Sequence, residues 1–161
     1  METMWVRVRG RDQVDTVYPD GTSMFTMRTA LAFVRPPFAL ANVVHEGVGH
    51  GGACLLAGGR ALAWSATHFD CDLAGLDPAA GKWVAAGGTL ANVALGLAAW
   101  LSLRVSQGPP GPGRLFLWLT MTVSLLQGGG YLMTSPLLGF GDWKEFIEGL
   151  QPVWPIKIGL T

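Results

Sequence analysis

Two histidines and a glutamate lie close together in an otherwise uncharged part of this chain. The sequence HEGVGH occupies residues 45–50, within the apolar stretch 36–59. Ionisable side chains in such surroundings are costly and rarely incidental. Neutral imidazoles are good zinc ligands, and a neighbouring carboxylate can take a proton from an attacking water. The pattern therefore predicts a zinc site with His45 and His50 as ligands and Glu46 as the general base.

The spacing of the two histidines is unusual for a zinc-binding helix. Zinc proteases commonly place them at i and i+4, about 40° apart around the helix, whereas here they are at i and i+5. A regular helix would separate them by about 140°, too wide for one tetrahedral ion. A π-bulge, with a hydrogen bond from i to i+5, returns both to one face. We therefore predict a π-bulge, with Gly47 and Gly49 absorbing the extra residue.

The composition is that of a membrane protein. Of the 161 residues, 50% are hydrophobic and 14% are charged, against about a quarter charged in an ordinary soluble domain. Seven tryptophans and 23 glycines fit closely packed spans with aromatic anchors at the interface. We therefore predict an integral protein of the lipid bilayer, in the cell membrane. The net charge is zero and basic runs are absent from the sequence, so we expect no nucleic-acid partner.

The apolar residues form three stretches separated by polar loops, namely 29–59, 83–103 and 115–141. About 20 residues are enough to span a bilayer. In the first stretch, Pro36 and Pro37 suit the first turn of a helix, so we expect the helix to begin there. The sequence predicts an all-α integral membrane bundle of about three spans over 29–161, preceded by a polar N-terminal segment over 1–28.

The third stretch is too long for one straight span. Its 27 uncharged residues, at about 1.5 Å each, exceed a hydrocarbon core of roughly 30 Å. We predict a break at Gly128-Gly129-Gly130 and Pro136. Irregular backbone at membrane depth is tolerated where it lines a cavity.

Three segments resemble the motifs of a known family. The HEGVGH segment resembles the zinc-binding helix of the site-2 protease family of intramembrane metallopeptidases, and its HExxxH form is similar to the motif of the dipeptidyl peptidase III family. The sequence GGTLAN at 87–92 resembles the second site-2 motif, a small-residue turn followed by an asparagine. Residues 136–142 resemble the third, a proline-containing break before a metal-binding aspartate. Gly88 and Trp143 replace a proline and a glycine that are usual in the family.

The resemblance implies an intramembrane zinc metallopeptidase. His45, His50 and Asp142 would hold Zn²⁺, and Glu46 would activate the attacking water. Asn92 would bind the substrate or polarise the scissile carbonyl. The partner would be a membrane protein or peptide, hydrolysed in a transmembrane or juxtamembrane segment.

Other interpretations of these residues remain open. The glycines near the histidines can serve helix packing, and Asn92 can be an interhelical hydrogen-bonding residue. Asp142 can be an interfacial helix cap. His68 is a rival metal ligand, because the loop around it also holds Cys71 and two aspartates, although such clusters are usually solvated turns. The two cysteines are expected to form no disulfide framework, with Cys54 a small buried residue on the zinc helix.

Two other functions fit the same segments. The chain can be a non-catalytic membrane protein that keeps the metallopeptidase-like fold, with or without the metal. It can also be a metal transporter or sensor, for which repeated intramembrane acids are expected. No further apolar stretch follows Trp154-Pro155, which indicates a truncated copy or a reduced three-span core.

Overall fold

The structure is a computed structural model that describes residues 5–8, 14–17, 23–106, 108–150 and 159. The chain divides into two compact units, Met1–Pro36 and Pro37–Thr161. The first contains an antiparallel sheet of three strands, β1 (Trp5–Val8), β2 (Val14–Val17) and β3 (Ser23–Thr26). The prediction of an all-α chain is therefore wrong for the N-terminal segment. Its strands are short and rich in β-branched valine and threonine, which favour extended backbone.

The first helical stretch is continuous from Met27 to Leu56. It consists of α1 (Met27–Val43), a π-helical segment (Val44–Gly51) and α2 (Gly52–Leu56). The prediction that the helix begins at Pro36 or Pro37 is wrong, because both prolines lie inside α1. The ring of proline fixes a helical φ, so the helix can continue through it, although each proline lacks the N–H of a backbone hydrogen bond.

A β-hairpin replaces the loop expected after α2. Strand β4 (Arg60–Ser65) pairs antiparallel with β5 (His68–Asp72), and Trp64 lies opposite Phe69. The hairpin brings Cys71 back to α2, where it forms a disulfide with Cys54 across a Cα–Cα distance of 6.0 Å. The expectation that the two cysteines contribute no disulfide is therefore wrong.

Two long helices form the rest of the second unit. Helix α3 (Pro78–Val105) begins after Asp77, whose Oδ1 accepts a hydrogen bond of 2.7 Å from the Ala79 N–H. Helix α4 (Pro112–Leu138) follows a proline- and glycine-rich connection. Both are long and apolar enough to cross a membrane. Among the described residues these are the two helices that meet that criterion, so a bundle of three spans is not confirmed.

Helix α4 does not break at the predicted positions. It runs without interruption through Gly128-Gly129-Gly130 and Pro136 and ends at Leu138. A Cβ on Gly128 would meet Cγ2 of Val93 at 2.9 Å, so this glycine permits close packing against α3 rather than a turn. The chain turns later, at Gly139 and Gly141, which have φ of 73° and 70°, before α5 (Asp142–Ile147).

The interior between the long helices is small and polar. The buried side chains on their contacting faces are alanine, threonine, serine and asparagine, whereas many large apolar side chains point outward. The buried set includes Ala85, Ala86, Thr89, Asn92, Thr120 and Ser124, and the exposed set includes Leu90, Leu97, Trp100, Trp118, Leu126 and Met133. This is the reverse of the usual distribution in a soluble core.

Candidate metal centre

The π-helical segment brings His45 and His50 together. Its hydrogen bonds from i to i+5 place residues five apart on one face, as a regular α-helix does for residues four apart. The two Nε2 atoms are 3.2 Å apart. The predicted π-bulge is confirmed, and it extends over eight residues.

Asp142 completes a triangle with the two imidazoles. Its Oδ2 is 3.2 Å from Nε2 of His45 and 3.2 Å from Nε2 of His50. Three ligands of one tetrahedral zinc ion, at bond lengths of 2.0 to 2.1 Å, lie about 3.3 to 3.4 Å from one another. The three side chains can therefore hold a metal ion.

Gly88 leaves open the space beside the triangle. A Cβ at this position would lie 2.5 Å from Nε2 of His45 and 2.6 Å from Nε2 of His50. Gly49, in the π-helical segment, permits the same close approach from the opposite side, since a Cβ added to it would lie 2.5 Å from the Cα of Gly88. The space that an ion needs is thus bounded by glycine backbone on α3.

The imidazole of His50 is oriented by backbone. Its Nδ1 lies 2.6 Å from the carbonyl oxygen of Val84. A carbonyl oxygen can only accept, so Nδ1 carries the proton and Nε2 presents its lone pair to the triangle. Metal-binding histidines usually make this kind of second hydrogen bond.

Hydrogen bonds to Thr89 and Ser135 hold the residues after Asp142 in place. The indole Nε1 of the buried Trp143 donates a hydrogen bond of 2.8 Å to the Thr89 hydroxyl on α3. The hydroxyl of Ser135, on the last turn of α4, accepts from the backbone N–H groups of Trp143 and Lys144 at 3.1 and 3.3 Å. These contacts fix the start of α5 and with it the carboxylate.

The surroundings of Asp142 favour its ionised form. Burial alone would raise the pKa of the carboxyl group, but the close contacts of its Oδ2 with His45 and His50 outweigh burial and lower the pKa to about 2. Asp142 is therefore a carboxylate at neutral pH, the form in which it can bind a cation.

A cavity of about 430 Å³ opens beside the triangle. Its lining includes Glu46, His50 and Asp142, together with the hairpin residues His68 and Asp70. Glu46 therefore faces the same space as two of the three candidate ligands without belonging to the triangle. A group there can exchange a proton with a molecule bound in the cavity.

The other two predicted site residues lie outside the triangle. Asn92 is fully buried behind His45, with its Nδ2 atom 3.2 Å from Nδ1 of His45, and it does not line the cavity. His68 is exposed in the hairpin, where its Nε2 lies 2.8 Å from Oδ1 of Asp70.

The sequence reasoning missed the residues that position the triangle. Val84, Thr89 and Ser135 act through a carbonyl or a hydroxyl, which no motif marks. Trp143 had a signal, since a large aromatic side chain directly after a candidate ligand indicates an anchored turn.

Comparison of the chain with protein-family models, curated proteins and solved structures finds no match.

Proposed function

We propose that this chain is an integral membrane zinc metallopeptidase that hydrolyses peptide bonds in transmembrane or juxtamembrane segments, as the resemblance to the site-2 proteases implies. The observation that carries the proposal is the triangle of His45, His50 and Asp142 beside a cavity that Glu46 lines. A structural zinc site is usually closed by four protein ligands, whereas a catalytic site keeps one position open. Three ligands beside a cavity fit the second kind.

The distribution of apolar side chains supports the membrane location. Large apolar residues outside and small or polar residues inside suit helices that pack in lipid, where close backbone approach and interhelical hydrogen bonds replace a hydrophobic core. The two long apolar helices supply two spans. We assign the third to the helical stretch that carries the histidines.

The proposed reaction divides between the ion and the protein. The ion, when bound, supplies Lewis acidity for the scissile carbonyl and the attacking water. Glu46 accepts the proton of that water and passes it to the leaving amine. His50 holds its orientation through Val84, and Asp142 holds its orientation through the contacts of Trp143. The cavity admits an extended peptide segment, which must be unwound from a helix to reach the site.

The test is the substitution Glu46→Gln in the full chain, purified in detergent. We expect this variant to keep zinc, because Glu46 is outside the triangle, and to lose hydrolysis of a library of synthetic transmembrane peptides read by mass spectrometry. Removal of zinc from the wild type by a chelator should abolish the same cleavages, and added zinc should restore them.

Each outcome distinguishes the proposal from its alternatives. Cleavage that persists in Glu46→Gln at the wild-type rate would contradict the assigned base. Stoichiometric zinc without any cleavage would favour the non-catalytic alternative, in which the fold retains the metal. A wild type without zinc would contradict the metal centre itself.

A further inference from the structure

Three side-chain amides form a hydrogen-bonded chain that ends on His45. Gln127 on α4 donates from Nε2 to Oδ1 of Asn42 on α1 at 2.8 Å. Asn92 on α3 donates from Nδ2 to Oε1 of Gln127 at 3.1 Å, and the same Nδ2 lies 3.2 Å from Nδ1 of His45. The chain therefore connects three helices to the ring nitrogen that faces away from the metal triangle.

The direction of these hydrogen bonds determines the tautomer of His45. An amide nitrogen can only donate, so Nδ1 accepts and a neutral His45 carries its proton on Nε2. That proton lies between two acceptors, Oδ2 of Asp142 and Nε2 of His50, each 3.2 Å from Nε2 of His45. In this arrangement Nε2 of His45 has no free lone pair for an ion. It is the arrangement of a metal-free centre.

A second observation concerns the amide oxygen of Asn92. Its Oδ1 is buried and has no hydrogen-bond partner among the described residues. A half-turn of the amide would direct this oxygen to Nδ1 of His45, which then carries the proton and leaves Nε2 free to bind an ion.

We infer that the hydrogen bonds among the amides of Asn42, Gln127 and Asn92 reverse direction when the centre binds its metal. In the reversed direction they hold His45 in the metal-binding tautomer. The reversal is concerted. Gln127 must present Nε2 to the oxygen of Asn92, and Asn42 must present Nδ2 to the oxygen of Gln127. One proton leaves Nε2 and one joins Nδ1 through water, with no net change. Gln127 and Asn42 are thus positioning residues.

This inference rests on the proposed function only in needing an ion at the triangle. The first test measures the affinity of the full-length protein in detergent for Zn²⁺, by competition with a chelator. Asn92→Leu and Gln127→Leu should weaken binding about 10- to 100-fold, the usual cost of losing a hydrogen bond behind a ligand. Asn92→Asp should keep the wild-type affinity, because a carboxylate accepts from Nδ1–H as the reversed amide does.

The matched control is Ser124→Ala, which removes another buried polar group of α4 one turn from Gln127. It should leave Zn²⁺ affinity unchanged. Equal losses in Asn92→Asp and Asn92→Leu, or wild-type affinity in Gln127→Leu, would overturn the inference and leave the metal centre standing. A wild type that binds no zinc would overturn both.

A second measurement needs no substitution. Nitrogen-15 NMR of labelled histidine shows which ring nitrogen carries the proton. We expect His45 to carry it on Nε2 without metal and on Nδ1 with zinc. His50 is the internal control, since Val84 keeps its proton on Nδ1 in both states. A proton on Nδ1 of His45 in both states would contradict the reversal.

Discussion

Gly88 is the residue at which a single methyl group has the largest expected effect. Its missing side chain leaves space directly beside both Nε2 atoms. Gly88→Ala should therefore lower zinc affinity by more than the roughly 100-fold that marks the upper end for altered supporting contacts. Metal analysis of purified protein measures this. Gly129→Ala on α4 is the matched control, because a Cβ there meets no atom within 4 Å. Equal zinc in both variants would contradict the placement of the ion.

Asp142 and His68 are distinguished by separate substitutions. Asp142→Asn removes the charge of the proposed third ligand and should weaken zinc binding at least 10- to 100-fold, roughly. His68→Ala should leave the affinity near that of the wild type, because its ring nitrogen pairs with Asp70 in the hairpin. Titration of each variant with zinc is the measurement. The opposite pattern would transfer the ligand role to His68.

The π-helical segment is the element that the sequence predicted best. His45, Glu46 and His50 are neighbours in the chain, so their spacing alone required an irregular helix if both imidazoles were to face one ion. Asp142 could be placed beside them only by resemblance, since it lies 97 residues from His45. What brings it there is the docking of Trp143 on α3, a contact between distant residues that no local pattern encodes.

The predicted break in α4 shows where glycine is ambiguous. Glycine marks turns, and it also permits close approach of two helices. Gly128 serves the second purpose, and the turn occurs at Gly139 and Gly141. The hairpin was missed for a related reason. Its pairing and its disulfide depend on contacts that only the folded chain provides, whereas its polar residues resemble those of a loop.

The disulfide is expected to stabilise the hairpin and to have little effect on the metal centre. Cys54 and Cys71 are 17 residues apart, and a bond that closes a loop of about this length contributes roughly 3 kcal/mol. The double variant Cys54→Ala and Cys71→Ala should lose about this much stability in thermal unfolding but should still bind zinc, because the candidate ligands and their supports lie outside the hairpin. Reduction of the wild type should have the same effect. Unchanged stability in both experiments would contradict the contribution of the bond.

At the scale of the whole molecule, the outward-facing apolar side chains determine whether the protein stays in the membrane. We expect the chain to stay in the membrane fraction during alkaline carbonate extraction, because two long apolar helices expose leucine and tryptophan around their outer faces. Immunoblotting of the pellet and supernatant measures this. Release into the supernatant would contradict the membrane location and, with it, the proposed substrate class.

The disulfide also has a consequence for sidedness. Disulfides persist in oxidising compartments and are rare where glutathione and thioredoxin keep thiols reduced. The bond lies in the hairpin that precedes α3, and the hairpin lines the cavity beside Glu46. In a membrane, the start of α3 and the mouth of the cavity would therefore face away from the cytoplasm, and the connection between α3 and α4 would face toward it. Fragments from the proposed hydrolysis that leave through the cavity mouth would then be released on the side away from the cytoplasm.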